Sequence, residues 1–337
     1  MTDQLSFIKA IPKAELHLHI EGSLEPELMF ELAERNNINL PFSSIDEVIK
    51  AYKFSNLQDF LDIYYQGMSV LITEQDFFDL TLAYLLRAKA DGVRHVEIFF
   101  DPQGHVERGV AFETAVNGIH RALVEGEIKH DISFGLIMCF LRHLSEASAF
   151  ETLAMAQPFK DKIMGVGLDS SELGNPPEKF SKVFQAAKQQ GYRLVAHAGE
   201  EGPADYVRQA LDKLNIERID HGNAILESAE LIKRVVDSKI ALTVCPLSNL
   251  KLCVVDKVEN HPLPEMLSLG LKVTLNSDDP SYFGGYIAEN YRVMAAAFQL
   301  DNQTLIKLAK NSISASFASK QRKQVLLMEL IEFALAA

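Results

Sequence analysis

Short apolar runs alternate along this chain with longer stretches in which apolar residues recur at helical spacing. We predict that eight of these runs are β-strands, because each is short, apolar and followed by turn residues or a helical stretch. The predicted strands cover residues 15–20, 95–100, 131–139, 163–168, 193–197, 218–221, 240–245 and 271–276. The predicted helices between them cover residues 26–36, 77–90, 111–125, 177–190, 206–214, 229–237 and 264–269.

Regular alternation of strand and helix predicts a parallel sheet with right-handed crossovers. Eight such units favour a closed (β/α)8 TIM-type barrel, an α/β fold. A doubly wound open sheet is the alternative, but the first strand is not followed by the Gly-x-Gly-x-x-Gly turn typical of that fold. Residues 39–72, rich in Phe and Tyr, are predicted as a helical insertion between strands 1 and 2 that covers the barrel mouth. No repeat or Pro/Ser-rich linker divides the chain, so we predict one domain over residues 1–337.

The charge balance narrows the range of partners. The chain has 33 basic and 46 acidic residues and a formal charge of −13, which disfavours binding to nucleic acid or to a membrane surface but not to a small neutral molecule. Residues 1–13 lack the basic start of a signal peptide, and no apolar run is long enough to span a membrane. With only three cysteines, these features predict a cytoplasmic protein, while its oligomeric state stays open.

Two histidines stand close together on the first predicted strand. His17 and His19 are two residues apart, so their side chains are expected on the same side of the strand, about 6–7 Å apart. Two imidazoles that converge in this way provide half of a metal site. The alternative is a polar strand end whose histidines only form hydrogen bonds.

Other predicted strands also end in side chains that bind metals or protons, which favours the metal site. These side chains are His197, His221, Asp278 and Asp279. In a barrel the carboxyl ends of all strands meet at one face. Imidazoles and a carboxylate with one open position are typical of one catalytic Zn²⁺ per chain, although Fe²⁺ or Mn²⁺ would also suit them. Zinc would lower the pKa of a bound water towards about 7, with Glu200 available as the acid and His221 to orient or deprotonate the water.

Asp220 precedes His221 on a predicted strand, so alternation is expected to turn its side chain away from that of His221.

A different zinc site, known from nucleobase deaminases, is built from a His-x-Glu motif and a Pro-Cys-x-x-Cys motif. His19 and Glu21 fit the His-x-Glu motif, but the chain contains no Cys-x-x-Cys, so a zinc site of this type is excluded.

Four motifs resemble those of the adenosine and adenine deaminases, which are amidohydrolases built on a (β/α)8 barrel. They read His-Leu-His-Ile-Glu-Gly-Ser at 17–23, His-Ala-Gly-Glu at 197–200, Asp-His-Gly at 220–222 and Ser-Asp-Asp-Pro at 277–280. The resemblance extends from about residue 14 to about residue 316. It implies attack of a zinc-bound hydroxide on C6 of a 6-aminopurine, with loss of ammonia. The implied roles are zinc ligands for His17, His19, His197 and Asp278, proton donor to purine N1 for Glu200, activation of water for His221, and a hydrogen bond to N7 for Asp279.

Three other segments, at 101–105, 165–177 and 245–252, resemble the adenine deaminase branch, which implies adenine as the substrate, with hypoxanthine and ammonia as products. In the adenosine branch a glycine matches Glu172. Our hypothesis is that Glu172 accepts a hydrogen bond from N9–H or N3–H of the free base and so excludes a nucleoside. Glu21 matches an aspartate that binds ribose in the adenosine branch, and its longer side chain weakly supports a free base as well.

The alternatives to an adenine deaminase are an adenosine deaminase, a deaminase of N6-substituted adenines, a metal-dependent phosphoesterase and a binding protein without turnover.

Overall fold

A computed structural model describes residues 4–336, which form an eight-stranded parallel sheet in the order β1 to β8. Its strands are β1 Lys13–Glu15, β2 Val93–Phe100, β3 Ser133–Leu141, β4 Gly165–Asp169, β5 Arg193–Ala198, β6 Arg218–His221, β7 Ala241–Val244 and β8 Lys272–Leu275. The sheet closes beyond β1, where His19 N donates to Asp278 O (3.0 Å) and Asp278 N donates to His17 O (3.1 Å). The predicted (β/α)8 TIM-type barrel is therefore confirmed.

Helices surround the barrel and connect its strands. They are α1 Gln4–Ala10, α2 Pro26–Asn36, α3 Ile45–Ala51, α4 Leu57–Gly67, α5 Glu74–Ala90, α6 Pro102–Glu107, α7 Phe112–His130, α8 Glu146–Ala156, α9 Ser181–Gln189, α10 Ala204–Gln209, α11 Ala229–Ser238, α12 Pro246–Lys251, α13 Leu263–Ser268, α14 Pro280–Phe283, α15 Ile287–Phe298, α16 Asn302–Ala315 and α17 Lys320–Ala336. Within residues 4–336, none of these helices combines the length and the apolar character needed to cross a bilayer.

The predicted elements differ from the observed ones mainly at their ends, and helix α8, which connects β3 to β4, was not predicted. The first strand is regular only over Lys13–Glu15, because the chain beyond it makes single bridges from Leu18 and His19 rather than a continuous ladder. Helix α5 begins three residues before the predicted start. There Thr73 and Asp76 form a reciprocal capping box, which satisfies backbone N–H groups of the first turn.

Residues 39–72 contain α3 and α4 and supply most of a second hydrophobic cluster, separate from the large core between strands and helices. Helix α4 begins after Asn56, whose side chain accepts a hydrogen bond from Asp59 N (3.0 Å). Its buried Phe60 packs on Phe283 of α14, with ring centroids 4.8 Å apart. This segment thus packs against the connection that follows β8.

A buried ion pair lies inside the barrel between β2 and β6. The guanidinium of Arg218 contacts the Glu97 carboxylate and also donates to Leu16 O (2.9 Å). His95 Nε2 lies 3.1 Å from the same carboxylate. Burial opposes ionisation of Glu97, but Arg218 and His95 more than offset it and lower its pKa to about 2.

Candidate metal centre and active site

The three predicted histidine ligands and Asp278 meet at the carboxyl end of the barrel. His17 Nε2 lies 3.1 Å and His19 Nε2 lies 3.6 Å from Asp278 Oδ1. His19 Nε2 and His197 Nε2 are 3.1 Å apart. All four side chains are buried. The structure therefore brings together ring nitrogens and a carboxylate oxygen from separate strands.

His221 and Glu200 lie beside this cluster. His221 Nε2 is 3.5 Å from Glu200 Oε2 and 3.8 Å from Asp278 Oδ2. One ligand atom each from His17, His197, His221 and Asp278 fits within a mutual separation of 4.8 Å. His221 thus adjoins the second oxygen of Asp278, whereas His17 and His19 lie near the first.

The chemistry of these side chains fits a divalent transition-metal ion. Burial and the neighbouring imidazoles lower the pKa of His197 well below its ordinary value, so its ring is neutral, as a metal ligand must be. Burial opposes ionisation of Asp278, but the imidazoles of His17, His221 and His19 hold its pKa well below the usual range. Imidazole nitrogens together with an ionised carboxylate form a donor set typical of zinc.

Hydrogen bonds fix which nitrogen of His17 faces the cluster. The Thr243 hydroxyl donates to Asp220 Oδ1 (2.8 Å), so it accepts from His17 Nδ1 (2.9 Å). His17 Nδ1 is therefore the donor to Thr243, which leaves Nε2, the nitrogen that faces Asp278, as the one that could bind a metal. The other oxygen of Asp220 lies 3.8 Å from His197 Nδ1. Asp220 thus lies behind two of the candidate ligands.

This position contradicts the expectation that Asp220 points away from His221. Strand alternation ends at His221, which has a left-handed backbone with φ of 61°. Asp278 has a similar φ of 62°, and in both cases successive side chains reach the site. Such conformations are rare outside glycine and are concentrated at functional sites.

The cluster adjoins a cavity at the carboxyl end of the barrel, whose lining includes His19, His197, His221 and Asp278. Its apolar wall includes Leu57, Phe60, Leu61, Leu252 and Phe283. Five acidic side chains also line it: Asp101, Asp169, Glu200, Asp278 and Asp279. Among the residues that the structure describes, the lining contains no lysine or arginine.

Two of these acids, Asp101 and Asp169, were not predicted as site residues. Asp101 directly follows β2 and accepts a hydrogen bond from Tyr64 OH of α4 (3.0 Å). Asp169 ends β4, and its Oδ2 lies 3.5 Å from His19 Nδ1. Their positions at strand ends, inside segments that resemble adenine deaminases, were the available signal.

Glu200 and Asp279 have the opposite protonation tendency to Asp278. Burial, then the negative charge of Asp278, raises the pKa of each well above its ordinary value. Asp279 Oδ1 is buried without a hydrogen-bond partner among the described residues. Gly22 lies directly against the Asp279 carboxyl group, since a Cβ on this glycine would lie 1.9 Å from Asp279 Oδ1. Burial therefore favours the neutral forms of Glu200 and Asp279, whereas the ionised form of Asp278 is favoured.

Glu172 does not face the cavity, which contradicts its predicted contact with the purine. Its Oε1 accepts from Gly199 N (2.7 Å), and its Oε2 accepts from the backbone N–H groups of Glu200 (2.9 Å), Glu201 (2.9 Å) and Gly202 (2.8 Å). The side chain is buried and absent from the cavity lining. Backbone donors occupy both of its oxygens.

Glu21 is likewise absent from the cavity lining, although it was predicted among the substrate-binding residues. Its Oε1 accepts from His105 Nε2 (2.7 Å) and from Asp101 N (3.1 Å). Burial, then the positive charge of Arg108, lowers the pKa of His105 to about 3, so the neutral ring donates from Nε2. Glu21 thus supports the backbone that carries Asp101.

An eight-stranded barrel with imidazoles and a carboxylate gathered at the carboxyl ends of its strands defines the class of metal-dependent barrel hydrolases. The sequence profile of the family described as "Adenosine deaminase" matches residues 12–333, and the chain belongs to this family.

Its relatives include a 62% identical protein of Sphingopyxis alaskensis named adenine deaminase, aligned over 95% of this chain and 94% of that protein. The crystal structure of adenine deaminase from Arthrobacter aurescens is 53% identical and superposes with a TM-score of 0.95, covering 97% of this chain and 100% of that one. An amidohydrolase from Burkholderia ambifaria, solved with bound Zn, is 26% identical, with a TM-score of 0.90 over 100% of this chain and 95% of that one.

Proposed function

We propose that this chain hydrolyses adenine to hypoxanthine and ammonia, with Zn²⁺ held by His17, His19, His197 and Asp278. The observation that carries the proposal is that His221 Nε2 lies 3.5 Å from Glu200 and 3.8 Å from Asp278 in one cavity. The names of relatives that are 55–62% identical over nearly the whole chain support adenine as the substrate. A zinc ion bound there would supply the Lewis acidity that makes water a competent nucleophile near neutral pH.

His221 has the position and protonation state to hold the attacking water. Burial lowers its pKa to about 3, so the ring is neutral and has one nitrogen free to accept a hydrogen bond. Its Nε2 faces both Glu200 and the second oxygen of Asp278. Water held at this nitrogen would lie between the proton donor and the ligand cluster.

Glu200 and Asp279 can both donate a proton to the purine, because burial favours their neutral forms. Transfer from Glu200 to N1 makes C6 more electrophilic, which promotes attack by water and loss of the amino group as ammonia. A protonated Asp279 donates a hydrogen bond to N7, a ring nitrogen with a free lone pair. Together they hold the ring with C6 towards the cluster.

The cavity wall favours a free base over a nucleoside or a phosphoester. Hydroxyls of a ribose that packed against Leu57, Phe60, Leu61, Leu252 and Phe283 would be buried without a partner on those side chains, which is costly. The lining also lacks a lysine or arginine to pair with phosphate, within the part of the chain that the structure describes. Adenine itself needs neither.

The test is ammonia release from adenine, adenosine, AMP and isopentenyladenine by the zinc-loaded protein, with and without a chelator. We expect adenine to have the highest kcat/KM and the chelator to abolish turnover. The Glu200→Gln variant is the matched control, because it keeps the size of the side chain and removes the proton. Preferred turnover of adenosine, or release of phosphate from AMP without ammonia, would contradict the proposal.

A further inference from the structure

Glu172 binds four consecutive backbone N–H groups, those of residues 199 to 202. The two oxygens of a carboxylate can accept about four hydrogen bonds, so its capacity matches this set of donors. A neutral amide would offer one oxygen and place its own N–H groups against the donors. The backbone also approaches closely, since a Cβ on Gly202 would lie 2.8 Å from the Glu172 carboxylate.

The segment held in this way carries Glu200 into the cavity. It directly follows β5, the strand that carries His197. Arg142 links Glu172 to strand β5, because its Nη1 donates to His197 O (2.8 Å) and lies 3.9 Å from Glu172 Oε1. Both side chains are buried, so the positive charge of Arg142 balances the carboxylate where water cannot.

The same segment contacts the wall of the cavity. Glu201 Oε1 accepts a hydrogen bond from Leu57 N (3.1 Å) at the start of α4. Beside it, the Ser171 hydroxyl donates to Gln58 Oε1 (2.8 Å). Helix α4 supplies three of the apolar side chains that line the cavity, those of Leu57, Phe60 and Leu61. Residues 199–202 therefore connect the proposed proton donor with a helix that lines the cavity.

We propose that Glu172 is a positioning residue that fixes the backbone of residues 199–202, and thereby places the Glu200 carboxyl group for proton transfer and seats the start of α4. The inference rests on the proposed deamination only for its kinetic consequence. In this role Glu172 affects the reaction through the position of Glu200 and does not contact the purine.

Kinetics of Glu172→Gln and Glu172→Asp provide the first test. We expect kcat for adenine to fall about 100-fold in Glu172→Gln, because displacement of a catalytic group by about 1 Å has an effect of this size. KM is expected to change little, and the preference for adenine over adenosine to persist. The aspartate keeps the charge but is one methylene shorter, so its loss of kcat should be smaller.

Glu178→Gln is the matched control, since Glu178 lies in the same connection, is exposed and loses the same charge. Its kcat should equal that of the wild type. Hydrogen–deuterium exchange, read by mass spectrometry on peptides that cover residues 199–202, provides a readout independent of turnover. We expect faster exchange there in Glu172→Gln and unchanged exchange in Glu178→Gln.

Unchanged kcat, or unchanged exchange at residues 199–202, would overturn the inference, and so would a rise in KM specific to adenine. If Glu172→Gln does not fold, Glu172→Asp carries both measurements, with a smaller fall in kcat and faster exchange expected. If the zinc-loaded wild type releases no ammonia, the proposed function fails, while the exchange comparison still decides whether Glu172 holds this segment.

Discussion

Asn in place of Asp220 is expected to weaken metal binding without unfolding the barrel. The Asp220 carboxylate orients His17 through Thr243, which contacts His17 Nδ1, and it lies 3.8 Å from His197 Nδ1. In both rings the Nδ1 atom lies on the side away from the ligand cluster. Asn has nearly the same shape, so the change removes the charge and leaves the packing. It also leaves Arg218, whose Nε lies 3.6 Å from Asp220 Oδ1, without that counter-charge.

The size of the effect follows from the contacts. Residues that hold metal ligands typically contribute 10–100-fold to metal affinity, or about 1.4–2.7 kcal/mol. The link to His17 through Thr243 consists of two hydrogen bonds of 2.8 and 2.9 Å, whereas the contact with His197 at 3.8 Å is longer than a hydrogen bond. We therefore expect a loss nearer the lower end, about 10- to 30-fold.

The assay is competition for Zn²⁺ with a chromophoric chelator at fixed pH, with the Tm of the metal-free protein measured in parallel. Thr243→Val tests the hydrogen-bonded link alone, because it keeps the side-chain volume and the charge of Asp220. Asp212→Asn is the surface control, since Asp212 pairs with Arg234 on the exposed helical face. Zinc affinities of Asp220→Asn and Thr243→Val within about twofold of the wild type would refute the reasoning, as the expected loss is at least about tenfold.

Three further predictions concern the same centre and the ion pair beneath it. Glu200→Gln should lower kcat for adenine by about 10²–10⁴-fold in steady-state kinetics, with KM nearly unchanged, because it removes the proton meant for N1; full activity would exclude Glu200 as the acid. Removal of zinc with a chelator should lower the Tm and abolish ammonia release, because the ionised Asp278 and the histidines beside it lose the cation that they would bind together. Added Zn²⁺ should restore both the Tm and the activity. A Tm insensitive to zinc would argue against the site. Glu97 has a folded-state pKa of about 2 against an ordinary value of 4.5, so its contribution of about 3 kcal/mol is fully present above pH 4.5 and is lost as the pH falls towards 2. In urea unfolding, Glu97→Gln should therefore cost more stability at pH 7 than at pH 3, and an equal cost at both pH values would contradict this.

The fold and the ligand cluster could be predicted because both depend on local patterns. Strands and helices follow from the periodicity of apolar residues, and the barrel rule gathers the strand ends at one face. His17, His197 and Asp278 lie at or just beyond such strand ends, so their proximity could be predicted without knowledge of individual contacts. The end of the first regular strand was less predictable, because hydrogen bonds with neighbouring strands determine where a ladder stops.

The orientation of individual acids could not be predicted in the same way. Alternation along β6 predicts that Asp220 and His221 face opposite sides, but the left-handed backbone at His221 brings both to the site. Glu172 looked available for a ligand until the fold placed it against N–H groups 27 to 30 residues further along the chain. Glu21 is held by His105, 84 residues away.

The amino-acid sequence alone determined the barrel, the order of its strands and the identity of the candidate metal ligands, because each of these follows from residue type and spacing. Tertiary structure alone decided which acids line the cavity and which are held by internal hydrogen bonds. The physical reason is that a buried carboxylate takes its role from the donors around it, and those donors come from distant segments that only the folded chain brings together.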